Sequence, residues 1–209
     1  MRELGNIGAG NATTALSQML GDRLVRMTAP AVAILAVPEV VAWVGEPHLP
    51  VVAAYVQVTG GVEGHAVLLL AESSAQAILQ EMLGAWGADG SGPLASGSTP
   101  LGERTVSDLE ASALMELGNV VITSYLNALG ELTGLAAIPS VPSVAADMLE
   151  AVLSSILAEV GWSDAGVLAI RTHLQGEGAA VEGQLLFVPA EGHLSRLIQA
   201  LGMAGEEPS

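Results

Sequence analysis

An internal repeat constrains this sequence more than any other feature. The tetrapeptide Glu-Leu-Gly-Asn occurs at Glu3–Asn6 and again at Glu116–Asn119. The tripeptide Val-Glu-Gly follows each copy, at Val62–Gly64 and at Val181–Gly183, with nearly the same separation. Two matches in the same order predict a chain of two similar halves, related by a pseudo-twofold axis.

Hydrophobic spacing predicts the elements of the first half. Apolar residues recur at helical spacing over Glu3–Leu20. Runs rich in β-branched residues predict strands at Val25–Val37, Val51–Thr59 and Val62–Leu70. A further helix is expected to start after Ser73, a suitable N-cap. The first half is therefore a helix–three-strand–helix unit.

The second half shows the same order less regularly. A helix capped by Ser107 or Asp108 is expected to end near Leu132. Strands are predicted at Gly166–Leu174 and Ala180–Val188, before a last helix. The segment Asp147–Val160 looks more helical than its counterpart, so the repeat is expected to be imperfect there.

The length and composition suit one domain, residues 1–209, made of two repeats. The chain has 209 residues, of which 51% are hydrophobic. We expect the first repeat at residues 1–86 and the second at residues 103–204. The intervening residues 87–102 are rich in Gly, Ser and Pro and are predicted to be a linker. Residues 205–209 are predicted to be a frayed tail.

The charge and the rare residue types exclude several functions. A net charge of −16 with six Lys and Arg argues against nucleic-acid binding and favours a partner with a basic patch. The absence of cysteine excludes disulfides and thiolate metal sites and fits the cytoplasm. No secretory signal is evident, and the apolar runs are too short to insert in a membrane. His48, His65, His173 and His193 lack ligand-like spacing, so no metal site is expected.

The repeated tetrapeptide places a carboxylate beside a carboxamide. Positions i and i+3 share one helix face, so Glu3 projects with Asn6, and Glu116 with Asn119. The carboxylate can pair with a cation on a partner. The amide both donates and accepts hydrogen bonds, so it can orient a water molecule. In phosphoryl transfer such positioning does most of the catalytic work.

Glycines at Gly5, Gly8 and Gly10 interrupt the first helix. Each costs about 0.5–1 kcal/mol relative to alanine, which indicates a close approach of another backbone or side chain. Two explanations fit equally well. A partner protein approaches this face, or the chain's own two helices pack tightly together.

These longer patterns resemble the signatures of the CheC phosphatases of bacterial and archaeal chemotaxis, relatives of CheX and FliY. The segment from Glu3 to Ala12 resembles the first signature, and Ser112 with Glu116 and Asn119 resembles the second. The family motif closes with a proline. Pro142 has the usual spacing for this proline, and Pro30 fits with one extra residue. The resemblance extends over essentially the whole chain.

The resemblance implies an α/β (α+β) fold with antiparallel strands and the two signature helices side by side. It implies a cytoplasmic enzyme that hydrolyses the phospho-aspartate of a CheY-type response regulator. Each Glu is expected to dock a regulator Lys, and each Asn to orient the attacking water. Glu3, Asn6, Glu116 and Asn119 are then the catalytic residues, and Ser112, Pro30 and Pro142 support them. No cofactor is expected on this chain, and Mg²⁺ is expected on the regulator.

Two other functions stay open, and one departure bears on the first site. The chain could bind phosphorylated CheY without catalysis, or act as an adaptor for a CheD-type receptor deamidase. A flagellar switch role like that of FliY is disfavoured, since no extra C-terminal switch domain is expected. The family has Asp or Ser four residues before the first Glu, a position ahead of Met1. Either that position lies on residues ahead of the given sequence, or the first site lacks it, in which case the first site is expected to be the weaker one.

Overall fold

A computed structural model describes residues 2–19, 26–84, 107–160, 166–175 and 180–202. The predicted linker, residues 87–102, and the predicted tail, residues 205–209, lie outside these ranges. Within them, no helix is both long enough and apolar enough to cross a bilayer.

The second half repeats the element order of the first half, with one strand more. In chain order, the described elements are α1 (Arg2–Met19), β1 (Arg26–Leu35), α2 (Val37–Val44), β2 (Pro50–Gly60), β3 (Gly64–Ala71), α3 (Glu72–Gly84), α4 (Asp108–Thr133), β4 (Ala137–Pro139), β5 (Ser143–Met148), α5 (Leu149–Val160), β6 (Val167–Gln175), β7 (Ala180–Pro189) and α6 (His193–Ala200).

The described strands form one antiparallel sheet in the order β1-β6-β7-β3-β2-β4, and β5 also pairs with β2. This order is symmetric. β1 corresponds to β4 and β5, β6 corresponds to β2, and β7 corresponds to β3. The pseudo-twofold axis therefore passes between β3 and β7. The predicted fold class is confirmed, including the antiparallel strands and the adjacent positions of α1 and α4. The exact repeat boundaries stay predictions, because their junction lies outside the described ranges.

The first strand of each half pairs with the second strand of the other half. β1 lies against β6, while β4 and β5 lie against β2. If either half folded alone, its second strand, β2 or β6, would lack the neighbour that the other half supplies. The exchange therefore joins the two halves through backbone hydrogen bonds as well as through the core.

Helix α2 corrects the predicted pattern of the first half. The expected strand Val25–Val37 ends at Leu35, and a helix follows at once over Val37–Val44. No helix was predicted over residues 38–44, whose valines have a low helix propensity. Its first turn carries helix-start signals, namely Pro38 and a Glu39 carboxylate that accepts the Ala36 N–H at 2.8 Å. Since α5 occupies the matching place, the repeat is more regular than expected.

Two hydrophobic cores lie on opposite faces of the sheet. In β3, Ala66, Leu68 and Leu70 face one core, while Val67 and Leu69 face the other, as the two-residue period of a strand requires. Helices α1, α3, α4 and α6 cover the first face, and α2 and α5 cover the second. The protein thus has three layers, with both signature helices in one of them.

Helix α4 begins with a complete capping box. The Ser107 hydroxyl accepts the Glu110 N–H at 3.3 Å, and the Glu110 carboxylate accepts the Ser107 N–H at 2.9 Å. Ser107 is thus the cap, of the two residues that the sequence allowed. Gly134 ends the helix in the left-handed conformation, with φ of 70°. These two ends fix where the second signature lies along the helix.

We expect Ser107→Ala to lower the free energy of unfolding by roughly 1–2 kcal/mol, because a cap acceptor is lost. The buried Glu110 carboxylate would also lose the Ser107 hydroxyl, which donates to it at 2.8 Å. Urea unfolding followed by circular dichroism measures the change. Ser155→Ala is the matched control, since among the described residues its exposed hydroxyl bonds only the Ala151 carbonyl within its own helix. Equal losses in the two variants would contradict the capping role.

Candidate functional site

The two tetrapeptides give the same pattern of inward and outward side chains. Leu4 and Leu117 are only 1% and 2% exposed. Both belong to the hydrophobic core between the sheet and the helices α1 and α4. Glu3, Asn6 and Glu116 are exposed, and Asn119 is half-buried. The prediction that both amides face solvent is thus met in full for Asn6 and in part for Asn119.

The glycine inside each tetrapeptide brings the helix close to the sheet. A Cβ on Gly118 would overlap the methyl group of Ala54 on β2. A Cβ on Gly5 would lie 3.0 Å from the Ala29 Cβ and 3.1 Å from a Val32 methyl group, both on β1. The Glu-x-Gly-Asn arrangement therefore combines a close inward contact with two outward polar groups.

The remaining two glycines of α1 differ from each other. A Cβ on Gly8 would overlap the ring of Tyr125 on α4, whereas a Cβ on Gly10 would meet no atom within 4 Å. Tight packing between the chain's own helices therefore explains Gly8. Gly10 lies open on the surface and has no such explanation.

We expect Gly8→Ala to destabilise the fold by roughly 1–3 kcal/mol, since Tyr125 would have to move within a packed core. Gly10→Ala is the matched control and should raise stability by up to about 1 kcal/mol through helix propensity. Urea titration of both variants gives the two changes. A similar sign for both would show that the Gly8–Tyr125 contact does not set the helix separation.

A surface cleft of about 450 Å³ contains every predicted residue of the second signature. Its walls are α4 and the connection between β4 and β5. The lining residues are Ser112, Met115, Glu116, Asn119, Pro139, Ser140, Val141 and Pro142. Ser112, Glu116, Asn119 and Pro142 are thus brought together, although the proline is distant from the others in sequence.

The β4–β5 connection is anchored to β2 at Ser140. The Ser140 N–H donates to the Gln57 carbonyl at 2.8 Å, and its hydroxyl accepts the Gln57 N–H at 3.0 Å. Pro139 and Pro142 stand on either side, and proline has no N–H to donate to a strand ladder. The prolines thus explain why this edge strand is interrupted beside the site.

The first half has a smaller irregularity at the matching place. The register of β1 against β6 shifts between Thr28 and Ala31, the stretch that contains Pro30. Ala29, the neighbour of Pro30, lies beside Gly5 in the turn of α1 that carries Glu3 and Asn6. The structure therefore brings a motif proline near each signature helix. Strand β1 continues past Pro30. The corresponding strand of the second half is interrupted between β4 and β5, where Pro142 lies.

Asn119 lies between this cleft and a second groove of about 670 Å³. Its Oδ1 accepts a long hydrogen bond of 3.4 Å from the Thr123 hydroxyl. The polar residues of the second groove were not predicted; they are Asn11, Thr123, Ser124, Asn127 and Glu131. The spacing of three to four residues from Ser112 through Glu131 was the signal that could have identified most of them.

The histidines lie apart from this cleft, and three of them contact other groups. His65 bonds the Tyr55 hydroxyl, His173 lies beside Glu182 on paired strands, and His193 Nδ1 accepts the Glu63 N–H at 3.1 Å. Among the described residues, no three His, Asp or Glu side chains are grouped to bind a metal. The expectations of no cofactor on this chain and of Mg²⁺ on a partner stay predictions.

Burial raises the pKa of Tyr125, the residue between the two helices. Its hydroxyl is buried and has no hydrogen-bond partner among the described residues. The ring therefore stays neutral at any physiological pH. It acts as a spacer between α1 and α4, and it gives the site no acid or base.

Solved structures show which class of fold this is. The chain matches FliY of Thermotoga maritima with a TM-score of 0.71 and 23% identity, over 96% of this chain and 93% of that one. It also matches the FliM middle domain from H. pylori, with a TM-score of 0.64 and 10% identity, over 95% and 94%. The fold is therefore the one that FliY and FliM middle domains share.

The sequence comparisons identify the family within this fold. The model of the CheC-like family matches residues 1–34. The CheY-P phosphatase CheC of Bacillus subtilis (strain 168) is 31% identical over 204 residues, which cover 97% of this chain and 92% of that protein. The chain belongs to the CheC family, as its two signatures predicted. Its role is that of a CheC-family protein in chemotaxis.

Proposed function

We propose that this protein is a phosphatase that hydrolyses the phospho-aspartate of a CheY-type response regulator. The observation that carries the proposal is the convergence of Ser112, Glu116, Asn119 and Pro142 on one open cleft. The family relative named a CheY-P phosphatase supports the choice of substrate. Glu3 and Asn6 form a second site of the same chemistry on the neighbouring helix.

Hydrolysis of an acyl phosphate needs little acid or base catalysis. A water oxygen forms a bond to phosphorus, the bond from phosphorus to the aspartyl oxygen breaks, and the aspartate leaves as a carboxylate. A carboxylate leaves without being protonated, and the water proton passes to phosphate or solvent. What limits the rate is the placing of the water in line with the breaking bond.

The Asn119 amide is suited to place that water. Its oxygen can accept a hydrogen bond from the water, while its NH₂ group can donate to a phosphoryl oxygen. The hydrogen bond with Thr123 is long at 3.4 Å, so a water or phosphoryl group can replace it at little cost. Asn6 does the same on α1, where its side chain is exposed.

The Glu116 carboxylate fixes the position of the bound regulator. It is exposed one helical turn before Asn119, on the same face of α4. A Lys of the regulator pairs with it and fixes the distance between the phospho-aspartate and the amide. The net charge of −16 adds a long-range attraction for a basic patch. Mg²⁺, in this proposal, is bound by the regulator and neutralises its phosphoryl oxygens.

Replacement of both asparagines should separate catalysis from binding. We expect Asn6→Ala with Asn119→Ala to lower kcat about a hundredfold or more, because the water is no longer positioned. The affinity for the phosphorylated regulator should change little. Among the single variants, Asn119→Ala should lose more activity than Asn6→Ala, since Asn119 lies in the described cleft. Phosphate release from phosphorylated CheY of Bacillus subtilis measures each effect.

Asn127→Ala is the matched control for the asparagine variants. It removes an exposed amide from the same helix face, two turns beyond Asn119. Full activity in the double variant would overturn the mechanism. Binding without hydrolysis by the parent protein would instead favour the non-catalytic module. A complex with a CheD-type deamidase is compatible with either outcome and stays a prediction.

Glu116→Lys should weaken binding about tenfold or more, since it sets two positive charges against each other. Glu150→Lys is the matched control, with the same charge change at an exposed position of α5, on the opposite face of the sheet. Titration of the phosphorylated regulator at low and high salt separates the contact from the long-range attraction. If both variants lose affinity equally, Glu116 makes no specific pair and only net charge matters.

A further inference from the structure

The two most exposed large apolar side chains of the described residues stand beside Asn119. Val141 is 85% exposed and Ile138 is 59% exposed. Val141 lines the cleft that contains Glu116 and Asn119, and Ile138 lines the adjoining groove. Single exposed apolar residues are common on proteins. Two within the short segment 138–141, at the rim of a polar site, call for an explanation.

The backbone holds these side chains outward. Ser140, between them, is tied to Gln57 by both its N–H and its hydroxyl. Pro139 and Pro142 restrict the φ angles on either side of it. Ile138 itself is paired with Thr59 on β2. A rigid apolar contact loses little conformational entropy when a partner covers it.

The surrounding sequence lacks charge, in a protein that is otherwise strongly acidic. No Asp, Glu, Lys or Arg occurs between Glu131 and Asp147. The surface near Asn119 therefore combines an apolar rim with the exposed carboxylates of Glu116, in the cleft, and Glu131, in the adjoining groove. Its natural complement is a protein face that presents a cation beside an apolar patch, since apolar contacts and charge pairs then form together.

We propose that Ile138 and Val141 form an apolar ridge on which the phosphorylated CheY-type regulator docks, an inference that rests on the proposed function. The occupant follows from continuity with the cleft. A phospho-aspartate that reaches Asn119 enters either the cleft that Val141 lines or the adjoining groove that Ile138 lines. The domain that carries the phospho-aspartate then covers the ridge, and the ridge fixes its orientation while Glu116 pairs with its Lys.

The test is the double variant Ile138→Ser with Val141→Ser, together with each single variant. We expect KM for phosphorylated CheY of Bacillus subtilis to rise about tenfold in the double variant. At saturation kcat should stay within about twofold, because the groups that position the water are intact. Direct titration of the phosphorylated regulator should show the same tenfold loss of affinity. Phosphate release under both limiting and saturating substrate gives the two constants.

Met148→Ser is the matched control. Met148 is an apolar residue of similar exposure, 52%, but it pairs with Pro50 at the far end of β5. It should change neither constant. Unchanged KM and affinity in the ridge variants would overturn the inference while the proposed function stands. A loss of kcat alone would also overturn it, since the ridge would then act on positioning.

Two further outcomes distinguish docking of the regulator from self-association and from a failure of the proposed function. If the ridge variants shift the sedimentation of the protein alone, the ridge is a contact between copies of this chain, and the inference is wrong. If the parent protein releases no phosphate, the proposed function fails, and titration of the regulator still decides on the ridge. A parent that neither binds nor hydrolyses overturns both.

Discussion

The exchange of first strands between the halves determines where the two signature helices lie. β1 belongs to the first half yet pairs with β6, and β4 and β5 belong to the second half yet pair with β2. Each signature helix comes directly before its exchanged strand in the chain. The exchange therefore brings α1 and α4 together on one face of the sheet. Two halves folded separately would place the Glu and Asn pairs on different surfaces.

Close packing then determines how the polar groups project. Gly5 and Gly118 let α1 and α4 approach the sheet, and Gly8 lets α1 approach the Tyr125 ring. Glycine in a helix interior costs about 0.5–1 kcal/mol against alanine, so the tighter packing must offset that cost at three positions. With the helices seated this closely, the Glu and Asn side chains of each tetrapeptide are the groups left facing outward.

The repeat predicted the twofold organisation, the family resemblance implied the antiparallel strands, and the capping signals predicted that α4 starts at Ser107 or Asp108. Two features escaped prediction for physical reasons. Half of the residues of helix α2 are valine, and its helical state draws on the burial of Val40 in the core shared with α5 as well as on Pro38 and Glu39. The ridge is not recognisable from the sequence, because exposure of Val141 depends on how Ser140 bonds a strand far away in the chain.

Like the fold, the candidate site was predicted from the sequence in part. The sequence identified Ser112, Glu116, Asn119 and Pro142 through family resemblance, and the fold brings them to one cleft. It did not identify the partial burial of Asn119, which lies beside Thr123 and lines one cleft with the β4–β5 connection. The catalytic roles of Glu116 and Asn119 and the supporting roles of Ser112 and Pro142 stay predictions. The fold alone determines where these side chains lie, whereas a catalytic role also requires a partner protein that carries the substrate group.

The two halves differ at the one place where a difference affects the site. In β1 the motif proline stands at a register shift, and the strand continues to Leu35. In the second half the strand is interrupted at the matching place, and the freed connection carries Val141 beside Asn119. A duplicated fold keeps its symmetry through the strand order and the buried glycines, which tolerate little change. An edge-strand interruption disturbs neither, because only one neighbour loses hydrogen bonds. Edge strands are therefore where one of two equivalent sites can acquire its own docking surface without loss of the fold.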